Sequence, residues 1–314
     1  MAIADLPEPS VVTDTVGIVT TGSGHLDEQV DERAADEVVV RRRLSPSRTS
    51  DFLTCPLLFR YRTIDRLPEP PSPVAARGTL VHAVLEDLFD LPAAARTPDG
   101  AAALLAAAWE RVSAEDPRLL GLFDGEQPLV PDRASWFASA EALLETYFRL
   151  ENPQTLEPAE REVRVEGTVG PGADGEGGAL TLAGIVDRID VAPDGRIRIV
   201  DYKSGRAPGE RFEESALFQM KFYALVVWRT RQVVPSLLQL LYLGDGQVLR
   251  YVPTEADLLA TERKLLAVWR AISAALEAGD FRPRASGLCR FCSHRSACPE
   301  GGGQILPMPA FRVE

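Results

Sequence analysis

The sequence predicts an α/β fold with a mixed central sheet, and three stretches carry that expectation. Residues 184–205, GIVDRIDVAPDGRIRIVDYKSG, read as two strands of β-branched character joined by a turn. Residues 213–231 read as a helix that packs on the sheet. Residues 236–243 and 247–252 read as a second strand pair around Gly244-Asp245-Gly246, a hairpin turn. The sheet is expected from residues 160–203 and 236–243, with helical segments in 78–150 as a side wall.

The first of these stretches organises the rest. Pro193-Asp194-Gly195 is a turn with a mechanism: proline presets φ, aspartate bonds its own backbone and glycine accepts φ > 0. A hairpin centred near Asp194 pairs residues whose numbers sum to about 388. Asp187 then faces Asp201, and Asp190 faces Arg198. Directly opposed Cβ atoms lie roughly 5 Å apart, so the two carboxylates repel unless a cation sits between them. Lys203 follows Asp201 by two residues and shares its face. Two acids and a lysine on one face of a hairpin are the ingredients of a divalent-metal site for phosphodiester cleavage.

The 314 residues suffice for one large domain or two small ones. No run approaches the length of a membrane span, and the N-terminus lacks a basic-plus-apolar signal pattern, so the expectation is a cytoplasmic protein with no membrane partner. The net charge of -12 argues against a passive nucleic-acid coat. That charge is uneven. Residues 1–40 contain nine acids and only Arg33 as a base, while the remaining 33 bases and 37 acids leave -4. The leader reads as mostly disordered, and the body, 41–314, remains compatible with a basic channel. Only Lys203, Lys221 and Lys264 are lysines, against 31 arginines, so a lysine beside paired acids stands out. Arginine is a fork that keeps its proton and does not substitute for it.

Along the body, Arg41-Arg42-Arg43 precedes LSPSRTSDFLTCPLLFRYR, residues 44–62. Ser47 suits the N-cap of a short helix running to Cys55, and Pro56 marks its end. Arg60 and Arg62 interleave with Phe59 and Tyr61. They suit phosphate contacts and base stacking, or equally a solvated edge beside two core aromatics. After a proline-rich linker, residues 68–73, a helix runs through Phe89, with His82 and Glu86 four apart on one face. A lone histidine beside an apolar stripe is more often structural than a ligand. Residues 99–114 and 132–150 read as scaffold helices and 160–168 as a strand. The glycine-rich loop 170–178 lies between strands, so it is not a nucleotide-binding fingerprint, and no GxxxxGK[ST] occurs anywhere. Gln219 and Tyr223 share a face of helix 213–231, and Thr254 caps a long helix through Ala278.

Three of the four cysteines, Cys289, Cys292 and Cys298, form C-x2-C-x5-C. The close pair is a metal signature in a cytosolic protein. Four thiolates including Cys55 suit an iron–sulfur cluster or zinc, and Cys3His zinc through His294 is the rival. Using Cys55 would close a long loop and tie the two ends of the domain together. Arg282, Arg284, Arg290 and Arg295 surround the motif, with no acid between Phe281 and Pro299.

Taken in order, LSPSRTSDFLTCP, GTLVH, GIVDRID, DYKSG, QMKFY and one-plus-three cysteines resemble the RecB-like branch of the PD-(D/E)XK nuclease superfamily. More narrowly they resemble its exonucleases with a C-terminal iron–sulfur cluster, related to the AddB nuclease domain and to CRISPR-adaptation nucleases. The resemblance spans residues 44–298. It implies a restriction-endonuclease-like core with a helical insertion, a catalytic region at 160–252 and a cluster segment at 282–300 stapled to Cys55. It implies His82, Asp187 and Asp201 as ligands of Mg2+ or Mn2+, with Asp187, Asp201 and Lys203 catalytic. Gln219 and Tyr223 lie beside the DNA path in that family, and Cys55, Cys289, Cys292 and Cys298 match its [4Fe–4S] ligands. Glu86 and Glu162 sit near family positions that are sometimes acidic and are not counted as ligands. The implied function is a metal-dependent DNA exonuclease acting on single strands or free ends, in repair or recombination. With no P-loop, any unwinding requires a helicase in trans. A non-catalytic DNA-binding or assembly subunit that keeps the fold is the alternative.

Overall fold

The computed structural model describes residues 38–124, 128–170, 178–209 and 213–314. All but the last three residues of the expected acidic leader, and most of the glycine-rich loop, lie outside the described residues. In chain order the elements are β1 (Val38–Val40), β2 (Arg43–Leu44), α1 (Pro46–Thr54), α2 (Pro56–Phe59), α3 (Pro73–Leu88), α4 (Pro98–Glu115) and α5 (Arg133–Leu150). Then come β3 (Glu160–Val169), β4 (Leu180–Val191), β5 (Ile197–Lys203), α6 (Glu213–Arg231), β6 (Leu237–Tyr242), β7 (Gln247–Tyr251), α7 (Glu255–Ala278) and β8 (Phe311–Val313).

Six strands form the central sheet in the order β2-β4-β5-β6-β7, with β3 on the other edge of β4. The sheet is mixed: β5 and β6 run parallel across the α6 crossover, while β3–β4, β4–β5 and β6–β7 are antiparallel. The hairpin register is as read from the turn, with Arg188 opposite Val200 and Asp190 opposite Arg198. Gly195 takes φ +82, its N–H reaches the Ala192 carbonyl at 2.8 Å, and the Asp194 carboxylate accepts from Arg196 N at 3.2 Å.

The sheet is the middle of three layers. Ile197 and Ile199 of β5 point into a core shared with α1, α2, α6 and α7, and Val200 and Tyr202 point the other way into a core built by α3, α4 and α5. This period of two is what a strand buried on both faces requires. Helix α6 is apolar nearly all round, with Met220, Phe222, Ala224, Leu225, Val226 and Val227 buried, because the sheet covers one side and α7 the other. Thr254 and Asp257 form a reciprocal capping box at the start of α7, and Gly279 ends it in a left-handed conformation at φ +63.

One local expectation is corrected. The N-cap of α1 is Ser45, whose hydroxyl accepts from Arg48 N, because Pro46 occupies the first helical position. Pro56 marks the end of α1 as expected, with Cys55 as the C-cap. It starts α2, which runs into a π-helical turn over Arg60–Ile64. The terminal pairing of β1 with β8 in parallel, Val38 opposite Phe311, joins segments too far apart in sequence to be paired by inspection.

Candidate active site

Asp187 sits where β4 changes its inward parity. Leu180, Leu182 and Val186 enter the first core before it, and Ile189 enters the same core after it. The matching irregularity on β3 is Glu162, which has φ +41 between Arg161, opposite Arg188, and Val163, opposite Val186. A non-glycine residue in that region costs roughly 1–3 kcal/mol and persists only where its surroundings fix it. The distortion brings the Glu162 and Asp187 carboxylates to one side of the sheet. Helix α3 supplies His82 to the same point, with Nδ1 3.6 Å from Asp187 Oδ2 and 3.7 Å from Glu162 Oε1. Ligand atoms of His82, Glu162 and Asp187 all lie within 4.8 Å of one another, the one such cluster among the described residues.

The imidazole is oriented from behind. Its Nε2 donates to the Tyr202 carbonyl at 2.9 Å, which leaves Nδ1 facing the acids. The Tyr202 N–H in turn donates to Asp187 Oδ2 at 2.6 Å. The backbone of one β5 residue thus fixes both groups, the kind of support that metal ligands need. Burial opposes charge on His82, but the Glu162, Asp187 and Asp201 carboxylates outweigh it and raise its pKa to about 9. Burial and repulsion from Asp201 push Asp187 up to about 7, against the pull of His82 and the Tyr202 N–H. Too much negative charge is crowded here for the groups present, as expected where a cation binds. Carboxylate oxygens with one imidazole fit Mg2+ or Mn2+.

Asp201 stands close enough to act electrostatically on both His82 and Asp187. It lies one strand over on β5, nearly buried, and stands outside the three-ligand cluster. Its Oδ2 is 2.6 Å from Lys203 Nζ, and its Oδ1 accepts from Gln219 Nε2 at 3.0 Å. Lys203 Nζ donates to Gln219 Oε1 at 2.8 Å, and Gln219 Nε2 also reaches the Tyr223 hydroxyl at 3.1 Å. Gln219 therefore clamps the acid–lysine pair as well as lining the groove beside it. Sequence reading left out Glu162. The signal was present in β3's alternation, but its register against β4 depends on the intervening loop and could not be counted out.

Two cavities meet at this point. One of about 460 Å³ contains His82, Glu86, Glu162 and Ile185, and a groove of about 600 Å³ contains Ile185, Gln219, Tyr223, Arg41, Arg43, Arg48 and Arg164. The half-exposed Ile185 forms their shared wall. The four groove arginines were not among the expected DNA contacts, and the two expected ones, Arg60 and Arg62, are held by protein partners. Arg60 is buried, ion-paired to Asp65 at 3.0 Å, and donates to the Leu306 and Pro307 carbonyls at 2.6 and 2.8 Å. Arg62 is committed to Asp51 at 2.6 Å and to Glu69 at 2.7 Å.

The four cysteines are free thiols that line a single cavity of about 300 Å³ between α1 and the C-terminal segment. Backbone N–H groups of Arg284 and Ser286 point at the sulfurs of Cys55 and Cys289, each at 3.3 Å. Tetrahedral zinc would draw four sulfurs to about 3.8 Å apart, yet no three of them lie within 4.8 Å of one another. His294 is not a substitute ligand: its Nε2 is 2.7 Å from Glu69 Oε1, and its ring packs on Tyr61. The sulfurs thus share a cavity without forming a closed set.

The chain belongs to the PD-(D/E)XK nuclease superfamily, whose family model matches residues 43–299. It is 28% identical over 123 residues to the Gene 69 protein of Mycobacterium phage L5, an alignment covering 38% of this chain and 40% of that relative's length. Among solved structures it resembles a candidate exonuclease from Eubacterium rectale, with TM-score 0.49, 14% identity, and coverage of 87% of this chain and 94% of the other. It also resembles SSO0001, with TM-score 0.36, 14% identity, and coverage of 83% and 87%.

Proposed function

We propose that the protein is a metal-dependent deoxyribonuclease of the RecB-like branch, cutting DNA from a free end and on single strands. The observation that carries this reading is the convergence of His82, Glu162 and Asp187 beside the Asp201–Lys203 pair on one hairpin. Mg2+ or Mn2+ bound there would polarise the scissile phosphate and make water more acidic. Lys203, fixed by Asp201 and Gln219, points a cation toward the oxygens on which charge builds as the phosphate becomes pentavalent. Asp201 takes part by positioning Lys203 and by adding to the field that attracts a cation. The groove of Arg41, Arg43, Arg48 and Arg164 supplies phosphate contacts for the strand. Exonuclease polarity toward single strands, a role in repair or recombination, and a helicase acting in trans belong to this proposal.

A [4Fe–4S] cluster on Cys55, Cys289, Cys292 and Cys298 is part of the same reading. It is supported by the shared cavity and by the two N–H groups directed at sulfur. A cubane carries iron and sulfide between its thiolates and so spreads them. Such a cluster would tie α1 to the C-terminal segment.

The test is an anaerobic preparation incubated with Mg2+ or Mn2+ and end-labelled single- and double-stranded DNA. Asp187→Asn and Lys203→Ala should each abolish cutting while the chain still folds. Cutting by both variants at the wild-type rate would overturn the site. Binding without cutting by the wild type would instead make the protein a DNA-binding subunit.

A further inference from the structure

At the end of the groove away from His82 lies a separate pocket of about 320 Å³. It shares Arg41, Arg43 and Arg48 with the groove and adds Arg66, Thr63 and Trp269. No acid lines it. Arg43 reaches Glu166 at the rim, at 3.0 Å, but among the described residues no carboxylate pairs with Arg41, Arg48 or Arg66. These are unusual neighbours. Burial, Arg43 and Arg66 together hold the Arg48 guanidinium below its ordinary pKa, so the cations repel one another with nothing between them. Arg66 also adopts a left-handed backbone at φ +50, which a non-glycine residue seldom does, two residues after the end of the π-helical turn. Strained backbone of both kinds gathers at functional sites.

A second observation points to a ligand. Trp269 is 2% exposed, yet its indole Nε1 has no acceptor, and the buried Nε of Arg42, stacked over the same ring, has none either. Buried donors are rarely left unmatched. Several guanidinium groups and the orphaned Trp269 indole N–H around one cavity are complementary to a group rich in anionic oxygens.

We infer that this arginine pocket is a phosphate-binding site that takes a phosphate group of the nucleic-acid strand lying in the groove, a dianionic terminal monoester fitting it best. The assignment of the strand rests on the nuclease reading; the assignment of phosphate rests on the pocket alone. A strand whose terminal phosphate is seated here, with its backbone along the arginine groove, is led past Ile185 to the cluster at His82.

Two measurements on the full chain test this. In the first, inorganic phosphate is titrated while tryptophan fluorescence is followed, with chloride at equal ionic strength as control. The expected result is a saturable change that Trp269→Phe removes and that Arg48→Gln/Arg66→Gln weakens by about tenfold or more, as loss of charge-assisted contacts predicts. An equal response to chloride, or an unchanged phosphate response in the double variant, overturns the site. In the second, oligonucleotides with 5′-phosphate, 3′-phosphate or hydroxyl ends are bound in EDTA. A preference for one phosphorylated end that the double variant erases assigns the terminal monoester. Equal binding of all strands, weakened equally by the double variant, assigns an internal diester to the same pocket. Wild-type-like binding of all strands by the double variant overturns the proposal. If Mn2+ never supports cutting by the wild type, the nuclease reading fails, while the phosphate titration still decides the pocket.

Discussion

Replacing Arg188 with methionine should be among the most damaging single changes in this protein, and the structure gives the size. Arg188 is fully buried behind the site, with Nη1 and Nη2 on the two Glu151 oxygens at 2.8 and 3.0 Å and Nη1 also on the Tyr202 hydroxyl at 2.8 Å. Its Nε is 3.1 Å from Asp190. Arg188→Met keeps the aliphatic length but strands Glu151, whose side chain is 7% exposed, with only Arg198 at 3.7 Å and Gln239 at 3.1 Å. Breaking a buried pair in this way costs about 3–5 kcal/mol. Arg198 and Gln239 place the expected loss toward the lower figure, and a Tm fall on the order of 10 °C follows. The second half of the test is Glu151→Gln on top of Arg188→Met, which removes the uncompensated charge. It should recover at least about 1 kcal/mol, because partners in direct contact couple by that much or more. Urea melts of the four proteins close the cycle. A loss below about 1 kcal/mol for Arg188→Met, or a double variant no more stable than the single one, would refute the argument that Arg188 offsets the buried Glu151 carboxylate.

Gly184→Ala would place a Cβ 2.6 Å from Tyr223 Cε1, so Tyr223 must move and Gln219 with it. A loss of roughly 1–3 kcal/mol in a thermal or urea melt is expected from overpacking, with cutting reduced further than stability explains. Glu162→Gln should weaken Mn2+ binding by roughly 10–100-fold by calorimetry, with melting of the metal-free protein little changed. The metal-binding groups must lose protons before a cation binds. With His82 raised to about 9 and Asp187 to about 7, Mn2+ affinity should rise with pH from 6 to 9 and protons should be released on binding; a flat profile would count against this ligand set. In the metal-free protein, the charged His82 adds stability that is fully present below its unfolded pKa near 6.5 and is lost as pH rises through about 9.

What the sequence disclosed was local, and what it hid was distant. The β4–β5 register could be counted from a three-residue turn, and so Asp187, Asp201 and Lys203 were placed on one hairpin without coordinates. The ends of α6 and α7 followed from apolar periodicity and a threonine cap. Glu162 could not be aligned with Asp187, because β3 and β4 are joined by a loop whose length sets the register and whose path leaves no trace in residue type. Arg60 looked like a surface base among aromatics. Its acceptors, the carbonyls of Leu306 and Pro307, lie 246 and 247 residues away. Asp201 was assigned to the metal by the resemblance; that its oxygens also meet Lys203 Nζ and Gln219 Nε2 could not be read from residue spacing.

Parallel pairing of Val38–Val40 with Phe311–Val313, and the grip of Arg60 on the Leu306 and Pro307 carbonyls, bear on how the chain is made. The first strand and the Arg60 guanidinium leave the ribosome long before the partners that satisfy them. Until residues 306–313 emerge, the nascent chain carries a charged group with too few acceptors and a strand edge with no neighbour. Synthesis through those residues is therefore a condition for closing the domain, and a stop just before them should yield a product that chaperones and proteases recognise.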